Sequence, residues 1–167
     1  MNWNKIEITT DDGEIVNAQT PVIVSSSRST DIPAFYADWF IERWKRGYVK
    51  WKNPFNGEHL YVSFRDTLVV VFWSKNPYPM LKHIDFLNEN VRNYYFQFSL
   101  NDYEKEGYEG NVPRLDKRIV TFKKLSDRIG PEKVIWRFDP MLLTENIDTN
   151  EILQRVKYIG DQLSGLS

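Results

Sequence analysis

Four short runs of apolar residues recur along the chain, and each one ends in a polar cluster. The runs begin at Val22, Val69, Tyr94 and Val134, and with their clusters they are VIVSSSRSTDIP, VVVFWSKNP, YYFQFSLND and VIWRFDP. A segment with helix-like spacing of apolar residues follows each run, which is typical of a buried parallel strand and its crossover helix. The pattern therefore predicts an α/β fold built from about four βα units.

Element boundaries follow from the strand-forming residues and the capping signals. Parallel strands are predicted over residues 22–25, 68–73, 94–99 and 134–138. The helices are expected to start near Thr30 or Asp31, Pro79, Arg114, and Asp148 or Thr149, and to end near Gly47, Leu87, Ile129 and Leu163.

Two further segments alternate apolar and polar residues around a turn signal and predict β-hairpins. The first, KIEITTDDGEIVNAQ, turns at Asp12-Gly13 and would form an N-terminal extension over residues 1–20 that covers the sheet. The second, YVKWKNPFNGEHLYVSF, turns at Asn56-Gly57. It interrupts the βα repeat, so we interpret it as an inserted hairpin.

The 167 residues suit a single α/β domain. A closed βα barrel usually needs eight units and about 250 residues, and only about half of that is present. The expected fold class is therefore a partial TIM-barrel-like repeat, and the chain is expected to be the N-terminal half of a larger, truncated barrel. Its last strand would lack a neighbour, which predicts self-association through the open sheet edge.

Composition narrows the classes of function. Hydrophobic residues make up 41% of the chain, enough for a sizeable core. The net charge of -1 argues against nucleic-acid binding, which needs an excess of basic residues. The chain has no cysteine, which excludes disulfides, a cysteine nucleophile and thiolate-held metal clusters within it. No apolar stretch is long enough for a membrane helix or signal peptide, so we expect a cytoplasmic protein without a membrane partner.

Ligands of parallel sheets bind beyond the carboxyl ends of the strands, so polar residues just after each run should gather at one rim. Guanidinium, ammonium, amide, hydroxyl and carboxylate groups there favour a small, anionic ligand. The substrate-binding candidates are Ser27, Arg28, Asp31, Lys75, Asn76, Gln97, Arg137 and Asp139. No catalytic residue and no metal ligand is assigned.

Several of these candidates also have a purely structural explanation. Arg28 would bind an anion at the strand-to-helix turn or pair with a neighbouring acid, and Asp31 would cap the helix. Lys75 would supply a positive charge to the rim or simply be solvated. Arg137 and Asp139 alternate along one strand and therefore face the same side, either as a salt bridge or in contact with substrate. The acidic segment NDYEKEGYE is expected to be a solvated loop or a mobile cover over the rim.

Several spaced motifs resemble one bacterial family, domain of unknown function 1848. They are SSSRSTDIPAFYADWF, GYVKWKNPFNG, VFWSKNP, FQFSLNDYEKEGYEGNVP and RIGPEKVIWRFDPMLLT, and the resemblance runs from about Val22 to Leu163. It implies a TIM-barrel-like body related to radical S-adenosylmethionine proteins, with an iron-sulfur cluster and S-adenosylmethionine as cofactors of the full-length relatives. This sequence lacks the cysteines that would hold such a cluster, so no cofactor is expected in this chain.

Three functional hypotheses follow. The chain is the N-terminal part of a radical-S-adenosylmethionine-like barrel of unknown substrate, inactive without its cysteine-bearing half. Alternatively, it is a non-catalytic α/β module that binds a small anion. The third hypothesis is a complete hydrolase or lyase with Asp31 or Asp139 as general base.

Overall fold

The computed structural model describes residues 4–27, 29–53 and 56–166. The strands are β1 (Lys5–Thr9), β2 (Ile15–Gln19), β3 (Ile23–Ser25), β4 (Tyr48–Lys52), β5 (His59–Ser63), β6 (Val69–Ser74), β7 (Tyr94–Ser99) and β8 (Val134–Arg137). The α-helices are α1 (Ile32–Phe35), α2 (Ala37–Arg46), α3 (Ile84–Asn90), α4 (Leu115–Ile129) and α5 (Thr149–Leu163). Within the described residues no helix is long and apolar enough to span a membrane.

One sheet is entirely parallel, with the spatial order β3-β6-β7-β8. Its strands are the four predicted ones, each shifted by no more than one residue at either end. The strands lie side by side in chain order, and helical segments connect them. The predicted α/β class and the parallel arrangement are confirmed.

Both predicted hairpins are present, but they join into one sheet. β1 pairs with β2 and β4 pairs with β5, in each case antiparallel, as the turn signals predict. In addition, β2 and β5 pair in parallel through Ala18 opposite Tyr61 and Gln19 opposite Val62. The N-terminal extension and the insertion therefore form a single mixed sheet with the order β1-β2-β5-β4.

The helices begin and end close to their predicted caps. Asp31 caps α1, Asp148 caps α5, and Gly47 ends α2 in the left-handed conformation that glycine tolerates best. The first predicted helix is in fact two, because Tyr36 leaves the helical conformation between α1 and α2. The second begins as a 3₁₀ turn over Tyr78–His83 before α3.

The two faces of the parallel sheet differ sharply in burial. Val70, Phe72, Phe96, Phe98 and Val134 point to one face and are completely buried against residues of α2 to α5. The strand register places a second set on the opposite face, called here the open face: Ile23, Ser25, Val69, Val71, Trp73, Tyr95, Gln97, Ser99, Ile135 and Arg137.

The open face is largely accessible to solvent. Ile23 is 58% exposed, Trp73 38% and Ile135 44%, although Val71 is buried. Parallel sheets are normally covered on both faces, so a bare face with apolar residues is unusual. The helices thus provide a core on one side only and leave the other available for a ligand or a partner.

Candidate functional site

Four side chains meet on the open face near the carboxyl ends of the strands; we call Trp73, Gln97, Arg137 and Asp139 the rim cluster. Trp73 lies opposite Gln97 in the strand register, and Arg137 lies opposite Ser99 on the same face. Asp139 follows β8 by two residues. The alternation of side chains along parallel strands therefore brings residues far apart in sequence into contact.

Arg137 connects the rim cluster. Its Nη1 donates to Oε1 of Gln97, and its Nη2 donates to Oδ2 of Asp139 at 2.9 Å. The guanidinium carbon lies 4.8 Å from the centre of the Trp73 ring, a cation-π geometry. The guanidinium is thereby held by three neighbours, as a positioned anion-binding group would be.

The rim cluster remains reachable from solvent. The Arg137 side chain is 33% exposed and that of Asp139 is 53% exposed. A salt bridge this exposed contributes little to stability, about 1 kcal/mol or less. The predicted ion pair is thus present, and an incoming anion could replace the Asp139 carboxylate at small cost.

Asp31 lies at the same end of the sheet and has a structural role. Its Oδ1 accepts from the backbone N-H of Ala34 at 3.0 Å, which is the capping bond. Its Oδ2 accepts from Oγ of Ser74 at 3.0 Å and from the backbone N-H of Lys75 at 2.9 Å. Asp31 thus joins the start of α1 to the end of β6.

Lys75 belongs to a second charged group on this rim. Its Nζ forms an ion pair with Oε1 of Glu109, and Oε2 of Glu109 lies 3.8 Å from Nη1 of Arg118. Arg118 is only 2% exposed and donates from Nη2 to the backbone oxygen of Asn101 at 2.9 Å. Burial lowers the pKa of Arg118, and the nearby Glu109 carboxylate opposes this shift.

The acidic segment after β7 is only in part the solvated loop that its composition predicts, because Glu104, Lys105, Gly107 and Tyr108 are exposed but its other residues are not. The Glu106 and Glu109 side chains are 11% and 13% exposed, and both are paired with basic residues. Arg155 of α5 donates to both carboxylate oxygens of Glu106, at 2.9 and 2.7 Å. These hydrogen bonds lower the pKa of Glu106. The segment is fixed against α4 and α5.

The remaining candidates lie outside the rim cluster. Asn76 borders a separate cavity of about 480 Å³ together with Tyr78 and Lys117. Ser27 has a buried Oγ that has no hydrogen-bond partner among the described residues. Arg28 falls outside the described residues. The structure thus brings Gln97, Arg137 and Asp139 together. It also links Asp31 to the Lys75 backbone and, through the Ser74 hydroxyl, to the Asn76 backbone N-H, which donates to Oγ of Ser74 at 2.9 Å.

Sequence reasoning missed a further cavity of about 430 Å³ between the mixed sheet, α2 and β3, all three residues of which line it. Trp39 and Trp51 border it and are 45% and 37% exposed, and Arg43 lies at its wall. The sequence did contain a signal for this cavity. Val49 alternates with Trp51, and these two lie opposite Val62 and Leu60, so four apolar residues share one face of the mixed sheet.

Among residues 4–27, 29–53 and 56–166 there is no group of three or more His, Cys, Asp or Glu side chains that could hold a metal ion. The polar groups at the rim are instead a guanidinium, an amide and a carboxylate beside an indole. This donor set suits a small organic or phosphorylated anion better than a metal.

Fold and site together define an α/β protein whose parallel sheet has helices on one face and a polar cluster on the other. The chain belongs to the family described as domain of unknown function (DUF1848), whose model matches residues 23–167. The match includes the whole parallel sheet and leaves out β1 and β2. No curated protein and no solved structure shows significant similarity to the chain.

Proposed function

We propose that this chain forms part of the wall of a βα barrel and binds a small anionic ligand at the rim cluster. The observation on which the proposal depends is the convergence of Trp73, Gln97, Arg137 and Asp139 on the open face, at the carboxyl ends of the strands. In βα barrels that end of the interior is where substrates bind.

The barrel part of the proposal is supported by the sheet itself. Its strands follow one another in chain order, all parallel, with helices on one face only. A doubly wound sheet would have helices on both faces, whereas a barrel wall has them only outside. The open face would then be the barrel interior.

The ligand part is supported by the chemistry of Arg137. Its planar guanidinium is held by Trp73 and Gln97 and can form two parallel hydrogen bonds to a carboxylate or phosphate. Asp139 accepts a hydrogen bond from one of these donors, Nη2. A bound anion takes that place, and the released Asp139 carboxylate turns to solvent.

The iron-sulfur chemistry that the sequence resemblance implies does not fit the residues of this chain. It has no cysteine, and thiolates are the usual ligands of these clusters. We therefore assign no redox step to it. Any radical chemistry in which the chain takes part would need thiolates from outside these residues, with this sheet contributing substrate binding.

Isothermal titration calorimetry with inorganic phosphate, pyrophosphate and succinate tests the binding proposal. We expect at least one of these probes to bind, and Arg137→Gln to weaken its affinity about tenfold or more, because charge-assisted hydrogen bonds are lost. Asp139→Asn should strengthen binding about threefold or more, because the competing carboxylate is removed.

Arg65→Gln is the matched control. Arg65 also pairs with a nearby aspartate, Asp66, at 3.1 Å, but it lies in the turn before β6, at the opposite end of the strand from the rim cluster. The Arg65→Gln substitution should leave the affinity for the probes unchanged. Absence of binding for all three probes, or equal losses in Arg137→Gln and Arg65→Gln, would refute the assignment of the site.

A further inference from the structure

We propose that the cavity between β3, α2 and the mixed sheet binds an aromatic monoanion, a ring system that carries one carboxylate or sulfonate. The ring lies against Trp39 and Trp51, and the anionic group accepts hydrogen bonds from Arg43. Among the described residues, none of those that border the cavity belongs to the rim cluster. The inference therefore goes beyond the proposed function and does not depend on it.

The walls of the cavity are mainly apolar on three sides. The four apolar residues that share one face of the mixed sheet form one side. Trp39 and Phe40 of α2 form the second, and Ile23 and Val24 of β3 contribute to the third. The volume of about 430 Å³ lies in the range of small-molecule pockets, about 300 to 1,000 Å³. Such walls suit a flat apolar body, unlike the hydrophilic anion proposed for the rim cluster.

Two indole rings at this cavity are partly uncovered. Trp39 is 45% exposed and Trp51 is 37% exposed. Tyr36 meets the Trp39 ring edge-on, with 6.5 Å between the ring centres. Indole rings pack favourably against other aromatic rings, either stacked or edge to face. An aromatic ligand would thus cover apolar surface that the fold leaves in contact with water.

The charge of the cavity wall selects an anion. Arg43 is the one charged side chain among the described residues that border the cavity, and no carboxylate is among them. Trp39 and Arg43 are four residues apart on α2, so they lie on the same side of the helix, about 6 Å apart at their Cβ atoms. A ligand whose ring packs on Trp39 therefore reaches the guanidinium with a single acidic substituent.

Arg43 has hydrogen-bond donors to spare for such a ligand. Its Nη2 donates to Oδ2 of Asp11 at 3.3 Å, and its Nε and Nη1 have no hydrogen-bond partner in the described part of the chain. Asp11 also accepts from Nη1 of Arg46 at 3.4 Å, so one carboxylate serves two guanidinium groups. This local excess of one positive charge is complementary to a monoanion.

Isothermal titration calorimetry with 2-naphthoate tests the site, and its uncharged analogue 2-naphthamide is the matched probe. We expect the acid to bind about tenfold more tightly than the amide, because charge-assisted hydrogen bonds are the stronger ones. Arg43→Gln should abolish this difference and still bind the amide, which shows that the variant is folded. Asp11→Asn should raise the affinity for the acid about threefold, since a competing carboxylate is removed. Trp39→Ala should weaken both probes about tenfold.

Lys45→Gln is the control for the loss of a positive charge on α2. Lys45 pairs with Glu42 at 2.8 Å and does not border the cavity, so the affinity for 2-naphthoate should be unchanged. Absence of 2-naphthoate binding, equal affinities for acid and amide, or equal losses in Arg43→Gln and Lys45→Gln would overturn the proposal. A loss in Arg137→Gln that Arg43→Gln does not show would also overturn it, because the acid would then occupy the rim cluster.

Discussion

The Asp31 side chain accepts three hydrogen bonds at the rim. Its carboxylate caps α1 and also accepts two hydrogen bonds from the end of β6, through Ser74 and the Lys75 backbone. The capping role can be predicted from sequence, because the position before Ile32-Pro33 favours a cap. The bond to Ser74 cannot, because that residue is 43 positions away and its approach depends on the pairing of β3 with β6.

Replacing Asp31 should therefore cost more than replacing an ordinary cap. Asp148, which caps α5 through the backbone N-H of Glu151, is the matched comparison. We expect Asp148→Ala to lower the free energy of unfolding by about 1 kcal/mol and Asp31→Ala by about 2 to 3 kcal/mol. Urea denaturation of both variants measures the difference. Equal losses would mean that the bonds to Ser74 and Lys75 add nothing.

At the scale of elements, the acidic segment after β7 is held by basic residues from two helices. Arg118 of α4 lies near Glu109, and Arg155 of α5 binds Glu106 and Glu151. The sequence shows the charges of this segment but not their partners, which follow some 9 to 49 residues later. Charge density alone therefore predicts a solvated loop, whereas only part of the segment is exposed.

The Glu106 to Arg155 contact predicts a pH dependence of stability. Hydrogen bonds from Arg155 lower the pKa of Glu106 below its ordinary 4.5 in the folded state. The ionised carboxylate therefore stabilises the fold above pH 4.5, and this contribution is lost as the pH falls through the folded-state pKa. Glu106→Gln should lower the free energy of unfolding by about 2 kcal/mol at neutral pH. On acidification the variant should lose less stability than the unaltered chain does.

Asp161→Asn is the control, because Asp161 lies on α5, the helix that carries Arg155. Asp161 also pairs with a base, Lys157, at 2.8 Å, but both side chains are mostly exposed. Its loss should cost less than about 0.5 kcal/mol and leave the acid dependence unchanged. Thermal melts over the acidic range compare the three proteins. A Glu106→Gln profile that runs parallel to that of the unaltered chain would contradict the assigned contact.

At the scale of the whole molecule, the parallel sheet was predictable and the joint mixed sheet was not. The parallel strands are dense apolar runs such as VVVFW and YYFQF, whose length and β-branched or aromatic content are strong local signals. The two hairpins join through only two residue pairs between β2 and β5. That contact has no local signature, because it depends on how the segments before β3 and before β6 lie after folding.

Part of the candidate site was likewise predictable from the sequence, and part was not. Gln97, Arg137 and Asp139 could be chosen because they end apolar runs in a predicted parallel sheet, and the structure brings them together. The ring of Trp73 completes the cluster through strand register, which places it beside Gln97. Asn76 follows a run as well, but it is not in the rim cluster: its backbone N-H donates to Oγ of Ser74, and the residue borders another cavity.

Fluorine NMR of the chain labelled with 5-fluorotryptophan tests the central claim most directly, because the label reports separately on each of the six tryptophans. Inorganic phosphate, pyrophosphate and succinate are titrated in turn, and the Trp73 resonance is identified as the one missing from Trp73→Phe. We predict that it shifts saturably with at least one of the three probes and that Arg137→Gln abolishes the shift. A Trp73 resonance that none of the probes moves, or shifts confined to Trp39 and Trp51 at the apolar cavity, would contradict an anion site at the rim cluster.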